Sequence, residues 1–272
     1  MSPRGVLRGA VAWAVVVVLS VPLLWMAGTA VTPAGEYVAE PTGLWPAAPT
    51  AEHFAALAQK DALRKGLNSL IVALGTVALA LAAGYPAAFA LVTRRFPARL
   101  DIVFLLFVLV VKLAPPIALA IPLYHVLRAL GLLDTLAGLV LVYQVYALPL
   151  AIWMLTAFIR DVPRDIDDAA RIDGASLPRR IWTIYLPLTA PGVSATAVLV
   201  GVLAWNEFLY ALLFIQSPSL FTLPTFLATL ITEDEALWGQ LAAVGLLASL
   251  PILLSVGLMH RALTRSFAGG LK

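Results

Sequence analysis

The sequence predicts an all-α membrane protein with six transmembrane helices. Its 272 residues are 61% hydrophobic and only 12% charged, and the mean hydropathy is +0.94. A soluble domain carries about 25% charged residues, so this chain cannot cover a folded core with a water-compatible surface. The apolar residues form long runs, and no alternating pattern typical of a membrane β-barrel competes with them. We therefore expect a single transmembrane domain over residues 1–272.

Six apolar runs are long enough to cross the hydrocarbon core, which requires about 20 residues in each helix. They cover residues 10–30, 67–91, 102–127, 136–158, 192–215 and 241–263. Because the bilayer offers no water to unpaired backbone groups, each run should be a helix, and prolines within the runs predict kinks. The first run could also be a cleaved signal peptide, although it is longer than the 7–15 apolar residues typical of one.

Basic residues are divided unevenly between the two sides of this topology. With the N-terminus in the cytoplasm, 13 Lys and Arg residues lie inside and 4 lie outside, while Lys112 falls within a span. The inner residues are Arg4, Arg8, Arg94, Arg95, Arg99, Arg160, Arg164, Arg171, Arg179, Arg180, Arg261, Arg265 and Lys272, and the outer ones are Lys60, Arg64, Lys65 and Arg128. The positive-inside rule therefore predicts that both termini are cytoplasmic.

The loop of residues 159–187, between the fourth and fifth spans, contains a predicted short surface helix. Pro163 suits the first helical position, Asp165 complements the positive end of the helix dipole, and Gly174 can end the helix in a left-handed conformation. Helical spacing gathers small residues on one face, namely Ile166, Ala169, Ala170 and Asp173. Such a face is typical of a helix that docks into a partner, and also of an amphipathic loop at the lipid headgroups.

This loop resembles a motif of a known family. Asp168-Ala169-Ala170, Asp173-Gly174-Ala175 and Ile184-Tyr185-Leu186-Pro187 match the EAA loop of ABC importer permeases, with Asp in place of the usual first Glu. The chain is further similar to carbohydrate-uptake permeases of the maltose and trehalose type, and to the smaller of their two permease subunits. The segments that carry this similarity are Gly131-Leu132-Leu133-Asp134-Thr135, Ala147-Leu148-Pro149 and Trp205-Asn206-Glu207-Phe208-Leu209.

The resemblance implies a type I ABC importer permease fold, in which the loop is a cytoplasmic coupling helix seated on a separate ATPase. The residues that it assigns to docking are Asp168, Ala169, Ala170, Asp173, Gly174, Arg179 and Arg180. It also implies a second permease subunit, two ATPase subunits that bind ATP and Mg, an extracytoplasmic sugar-binding protein, and a location in the plasma (inner) membrane.

No enzymatic chemistry is expected in this chain. It contains no Gly-Lys dipeptide and hence no phosphate-binding P-loop, and its 3 His residues lack the spacing of metal ligands. With 0 Cys, thiolate metal sites are excluded, and the net charge of +3 gives no indication of nucleic-acid binding. We expect no catalytic residue, metal or cofactor here, so ATP must be hydrolysed by a partner.

Polar and aromatic side chains within the spans are candidates for the substrate pathway. The candidates are Trp205, Asn206, Glu207 and Tyr210 in the fifth span, with Tyr143 and Gln144 in the fourth. Ionisable groups are costly in a bilayer and often functional, so these side chains could face sugar hydroxyl groups. They could equally satisfy backbone groups at a helix break or hold helices together.

The predicted function is translocation of a di- or oligosaccharide that a binding protein delivers. The alternatives are a permease for another small solute, a secondary transporter or an ion channel. A secondary transporter predicts an inverted repeat and a channel predicts a filter motif, and the sequence shows neither. The identity of the sugar, and which of two permeases contacts it, are left open by the sequence.

The topology can be tested by labelling, since the chain has 0 Cys and single cysteines can be introduced at chosen positions. We expect a membrane-impermeant thiol reagent, added from outside, to modify cysteines placed within residues 31–66 or 215–240. Cysteines at positions 95 and 171 should react only after the membrane is permeabilised. Labelling of Arg95→Cys or Arg171→Cys in intact cells would contradict the predicted orientation and indicate the opposite one.

Overall fold

A computed structural model describes residues 3–34, 36, 45–93, 100–231 and 237–269, and every regular element in these ranges is a helix. The helices are α1 (Pro3–Ala30), α2 (Glu52–Gln59), α3 (Ala62–Thr93), α4 (Leu100–Leu113), α5 (Pro116–Ala129), α6 (Leu136–Arg160), α7 (Arg164–Ile172), α8 (Leu177–Leu188), α9 (Ala190–Trp205), α10 (Leu209–Phe214), α11 (Leu223–Thr229) and α12 (Trp238–Gly269). The middle of α8, Arg180–Tyr185, is π-helical. Of the basic residues assigned to the two sides, Arg94, Arg95, Arg99 and Lys272 lie outside the described ranges.

Four of these helices are long and apolar enough to cross a membrane. The qualifying segments are Gly9–Ala30 in α1, all of α3, all of α6, and Trp238–Ser255 in α12. Helices α8 and α9 meet at an angle of 82° and would make a fifth span if they form one broken crossing. The all-helical membrane class is therefore confirmed, and the first, second, fourth and sixth predicted spans each correspond to a single long helix.

The third predicted span, residues 102–127, is not the single kinked helix that the sequence predicted. It is divided into α4 and α5, each of 14 residues. At about 1.5 Å per residue each covers about 21 Å, less than the ~30 Å of hydrocarbon. Pro115 has φ −58° and ψ 127°, which is extended backbone. Two consecutive prolines interrupt the helix here, because Pro116 disfavours the α-conformation for the residue before it.

The predicted fifth span, residues 192–215, is also interrupted. Helix α9 ends at Trp205 and α10 begins at Leu209, so three residues leave the helical path. At the other end of α9, Gly192 lies against the ring of Phe158, and a Cβ atom at Gly192 would overlap that ring. Glycine is therefore the residue that allows α9 to approach α6 after the bend.

The larger of two compact units consists of Leu67–Thr222 and Ile252–Lys272. Its core is built by α3, α6, α8 and α9, and includes the buried side chains of Phe89, Leu155 and Tyr185. Small residues bring α3 close to α6: a Cβ added to Gly84 would lie 3.3 Å from the Cβ of Ala151. In a bilayer such close packing is a main source of helix association, because lipid provides no hydrophobic driving force.

The smaller unit consists of Met1–Gly66 and Leu223–Pro251. Within it, α2 is fastened by the His53 ring, whose Nε2 lies 2.7 Å from the carbonyl oxygen of Thr32, and by the Lys60 ammonium group, which donates to the Gln240 side-chain oxygen at 2.8 Å. Helix α1, in contrast, directs its apolar side chains outward, and Trp13 is 72% exposed. Only lipid or another membrane protein can cover such a surface.

Asp134 fastens the turn before α6 to the turn after α10. Its carboxylate accepts hydrogen bonds from the backbone N–H groups of Gln216 (2.9 Å) and Ser217 (3.0 Å) and from the Ser217 hydroxyl group. Its own N–H donates to the carbonyl oxygen of Phe214 at 3.0 Å, and its φ of +55° is left-handed. The hydrogen bond from the Ser217 hydroxyl group contributes most, and the two from backbone N–H groups contribute less. Together they stabilise the ionised form and lower the pKa of Asp134.

We expect Asp134→Asn to destabilise this turn by about 1 kcal/mol, because the charge is lost while the left-handed backbone remains acceptable to Asn. Asp134→Ala should cost more, since Ala disfavours that backbone as well. A carboxyl group with a lowered pKa stabilises the fold above its ordinary pKa of 3.8, and the contribution disappears as the pH falls through the lower folded-state value. Thermal unfolding in detergent at pH 7 and pH 3 checks this: acid should narrow the difference in stability between the parent and Asp134→Asn, and an unchanged difference would contradict it.

Candidate functional site

Helix α7 ends in a turn that only a few residue types can form. Gly174 has φ +72°, its N–H donates to the carbonyl oxygen of Arg171 at 3.1 Å, and the N–H of Ala175 donates to that of Ala170 at 2.9 Å. These two bonds define a Schellman motif, the common C-terminal cap of a helix. The prediction that Gly174 ends the helix in a left-handed conformation is confirmed. The helix therefore ends at Ile172, and the backbone turns at Gly174.

One face of α7 is exposed and the opposite face is buried. Asp165, Asp168, Ala169 and Ile172 have i, i+3, i+4, i+7 spacing and are exposed, with Ile172 at 87%. Asp167 and Ala170 are buried. The predicted face that joined Ala169 to Ala170 is therefore wrong, because consecutive helical residues are about 100° apart and the structure turns Ala170 inward.

Asp167 forms a buried ion pair with Arg180. The guanidinium group donates from Nε to Oδ1 at 2.8 Å and from Nη2 to Oδ2 at 2.7 Å, and the side chains are only 8% and 11% exposed. The Nε atom of Arg171, four residues after Asp167, lies 3.0 Å from the same carboxylate. Arg180 also lies over the ring of Phe89 in α3, 5.5 Å from its centroid. Helices α3, α7 and α8 thus meet at one charged cluster.

This cluster changes how the two predicted docking arginines are assigned. Arg179 is exposed, whereas Arg180 is bound within its own chain. Sequence analysis missed Asp167, although its i, i+4 spacing to Arg171 is a visible signal for an ion pair on a helix. The pairing with Arg180, by contrast, forms across the Gly174 turn, and no periodic pattern indicates it.

The segment that matches the I-x-L-P part of the motif turns the chain into α9. The ring of Tyr185 packs edge-on against Phe89, with centroids 4.9 Å apart. The Thr189 hydroxyl group donates to the carbonyl oxygen of Tyr185 at 2.8 Å and lies 2.6 Å from the Tyr85 hydroxyl group. These contacts fix the 82° bend between α8 and α9. A groove of about 260 Å³ runs beside this bend; its lining is Phe158, Asp161, Val162, Pro163, Ile166, Leu188, Thr189, Pro191 and Gly192.

Glu207 binds the first free N–H groups of α10. One carboxylate oxygen accepts from the N–H of Tyr210 at 2.8 Å and the other from that of Ala211 at 3.2 Å. The side chain of Asn206 donates to the carbonyl oxygen of Val202 at 2.8 Å. Both polar residues at the break therefore satisfy backbone groups, which favours the structural alternative over direct contact with a sugar.

Three tyrosines gather around the Glu207 carboxylate. They are Tyr143 and Tyr146 on α6, with ring centroids 5.6 Å apart, and Tyr210 on α10. The hydroxyl group of Tyr210 donates to the carbonyl oxygen of Pro116 at 3.2 Å. The arrangement joins α6, α10 and the start of α5 around one acidic group. The sequence indicated the residue types but gave no sign of this grouping.

The remaining pathway candidates are Gln144 and Trp205. Gln144 donates to the carbonyl oxygens of Val140 (3.0 Å) and Thr76 (3.3 Å), and so links α6 to α3. Trp205 is buried at the end of α9. Among the residues that the structure describes, no group of three or more His, Asp or Glu side chains is placed to hold a metal ion.

Comparison with known proteins places these features in context. Residues 80–269 match the model of a family described as binding-protein-dependent transport system inner membrane component. The trehalose transport system permease protein SugB of Mycobacterium tuberculosis is 32% identical over 271 residues, which is 97% of each chain. The sulfoquinovosyl glycerol transport system permease protein SmoH of Agrobacterium fabrum is 34% identical over 253 residues, or 92% of this chain and 88% of the relative.

A solved structure has the same fold. A chain from the crystal structure of a bacterial ABC transporter involved in the import of alginate superposes with a TM-score of 0.78. The alignment covers 96% of this chain and 98% of that one, at 16% sequence identity. At that identity the likeness concerns the helical architecture alone.

Because the carboxylate of Glu207 holds the start of α10, we expect Glu207→Gln to destabilise the protein by about 1 kcal/mol, since an amide cannot accept both hydrogen bonds with full charge. Asn206→Ala, which removes one hydrogen bond at an exposed side chain, should cost less. Thermal unfolding of the purified variants in detergent measures both. A Glu207→Gln protein as stable as the parent but defective in transport would instead place Glu207 in contact with the substrate.

Proposed function

The chain belongs to the family of binding-protein-dependent transport system inner membrane components, and on that premise we propose that it is the smaller of two permease subunits in an ATP-driven importer of di- or oligosaccharides. It is the transport subunit of an inner-membrane ABC importer and has no catalytic role of its own. ATP and Mg would be bound by a dimer of ATPase subunits, and the solute would be delivered by an extracytoplasmic sugar-binding protein.

Helix α7 is the proposed coupling helix that docks on the ATPase. Its exposed face presents Asp168, Ala169 and Ile172, and the turn after it presents Gly174. A small residue next to an apolar one suits insertion into a groove, and the flanking carboxylates can pair with basic groups there. Asp173 and Arg179 are also exposed and complete the docking set. Ala170 and Arg180 support this surface from inside the chain.

The proposed membrane topology has six crossings with both termini in the cytoplasm. Four are single helices, the third consists of α4 and α5, and the fifth consists of α9 and α10. Broken helices of this kind are common in transporters, where freed backbone groups are satisfied by neighbouring helices and polar side chains. The positive-inside distribution of Lys and Arg supports the orientation.

The proposed substrate class is supported by the relatives. Two relatives that match nearly their whole length are named for trehalose and for sulfoquinovosyl glycerol, both of which are glycosides. The alternative, a permease for a different small solute, has no comparable support. The observation that carries the proposal is the exposed face of α7. This helix ends in the turn at Gly174 and lies within the part of the chain that matches the family.

The proposal is tested by co-expressing the chain with its neighbouring transport genes and reconstituting the complex in vesicles. We expect uptake that requires both ATP and the binding protein, measured with radiolabelled trehalose and maltose and with glutamine as a non-sugar control. Uptake of glutamine alone would support the alternative substrate class. A chain that purifies without any ATPase subunit, and whose vesicles show no ATP-dependent uptake of any probe, would refute the importer assignment.

In this assay we expect Gly174→Val and Ala169→Trp each to reduce ATPase co-purification and uptake by at least tenfold. Valine at φ +72° is strained by about 1–2 kcal/mol and would misdirect the chain after α7, while Trp would overfill the docking groove. Gly174→Asn is the matched control, because Asn tolerates the left-handed region, and it should stay near the parent. Parental uptake in both Gly174→Val and Ala169→Trp would show that α7 is not a coupling helix.

A further inference from the structure

Resting on the proposed coupling role of α7, we propose that Asp167 and Arg180 are a positioning pair that transmits movement of α7 to the membrane helices. Neither residue would touch substrate or nucleotide. The pair would act as a strut: it holds α7 at a fixed angle to α8 and α3, so that force applied at the exposed face moves these helices with it.

The covalent connections of α7 cannot hold that angle by themselves. After the helix, Gly174 is left-handed and residues 175–176 have no helical structure before α8 begins at Leu177. A short non-helical link of this kind can act as a hinge, since a few loop residues absorb most of the rotation when packed elements move. A side-chain contact across the link is therefore needed if α7 and α8 are to move as one body.

The geometry of the Asp167–Arg180 pair meets this requirement. Two parallel N–H···O bonds of 2.8 and 2.7 Å fix both the distance and the relative orientation of the two groups, which a single bond would not. Arg180 stands at the first residue of the π-helical part of α8, so the strut ends directly on the element that leads into the bend before α9. Lys could not replace it, because an ammonium group is a point charge without a planar fork.

The same cluster also reaches the cytoplasmic end of α3. Arg180 lies over the ring of Phe89, and Arg171 donates to the carbonyl oxygen of Thr93 at 3.3 Å. Phe89 belongs to the buried core that joins α3 to α6. The strut is thus continuous with the buried core that joins α3 to α6, and movement at α7 has a direct route to two long membrane helices.

Burial makes this pair different from the charged residues beside it. Asp167 and Arg180 are nearly inaccessible, so water and salt screen their attraction little, whereas exposed pairs are largely screened. Arg160 at the end of α6 and Arg164 at the start of α7 are exposed, and they belong neither to the strut nor to the docking set. These two residues allow an arginine charge to be removed close to α7 without changing the strut or the docking residues.

The experiment compares four variants of the reconstituted complex, using trehalose or maltose, whichever the parent takes up faster. Asp167→Ala/Arg180→Met removes both partners and leaves no unpaired buried charge, and Arg180→Lys keeps the charge but loses the fork. Arg160→Gln and Arg164→Gln are the exposed controls. For each we measure co-purification of the ATPase, ATP hydrolysis, and the amount of sugar taken up per ATP hydrolysed.

We expect the double variant to retain the ATPase and to hydrolyse ATP, while sugar uptake per ATP falls at least tenfold; Arg180→Lys should show a fall of threefold or more. The exposed controls should stay within twofold of the parent in uptake per ATP. If the double variant takes up as much sugar per ATP as the parent, the strut is refuted while the importer assignment stands. If the double variant fails to insert, the same result with Arg180→Lys refutes the strut. If the parent complex itself showed no ATP-dependent uptake, both the strut and the importer assignment would be refuted.

Discussion

A backbone N–H or C=O group freed inside a bilayer has no water to bind, and this constraint accounts for the position of Glu207 at the break after α9. Its carboxylate accepts from two N–H groups at the start of α10, and the neighbouring Asn206 side chain donates to the carbonyl oxygen of Val202, which also accepts from the Asn206 N–H. Near the middle of α6, Gln144 donates to carbonyl oxygens of two helices. Each of these residues is attractive as a substrate ligand in the sequence, yet each has a backbone partner that lipid cannot supply.

The sequence predicts well whatever is local. Long apolar runs give the helical membrane class, and Gly174 gives the end of α7, because a left-handed cap depends on one residue and its immediate neighbours. The proline pair at 115–116 shows the limit of this reasoning: a proline inside a span is compatible with a kink or with an end, and the difference depends on which helices surround it. The short helices that result could not be deduced from hydropathy.

Contacts between distant residues could not be predicted. The bond between Asp167 and Arg180 spans 13 positions and a turn. The grouping of Tyr143 with Glu207 joins α6 to the break between α9 and α10, which lies far along the chain. The motif around α7 gave no information about which of its residues face outward. In the structure Ala169 is exposed, whereas Ala170 and Asp167 are buried. On the proposed docking, Ala169 would reach a partner, and the two buried residues would determine where that exposed surface lies.

The exposure of Ile172 bears on how long this subunit survives in a cell when its partner is scarce. At 87% exposure it is an apolar side chain on the tip of a polar helix, and covering it is worth about 1.5–3 kcal/mol. On the proposed docking, that coverage comes from the ATPase alone. A copy made in excess of its partner would carry an uncovered hydrophobic tip, the feature by which chaperones and proteases detect orphan subunits. Permease made in excess of the ATPase would then be degraded sooner than permease in the complex.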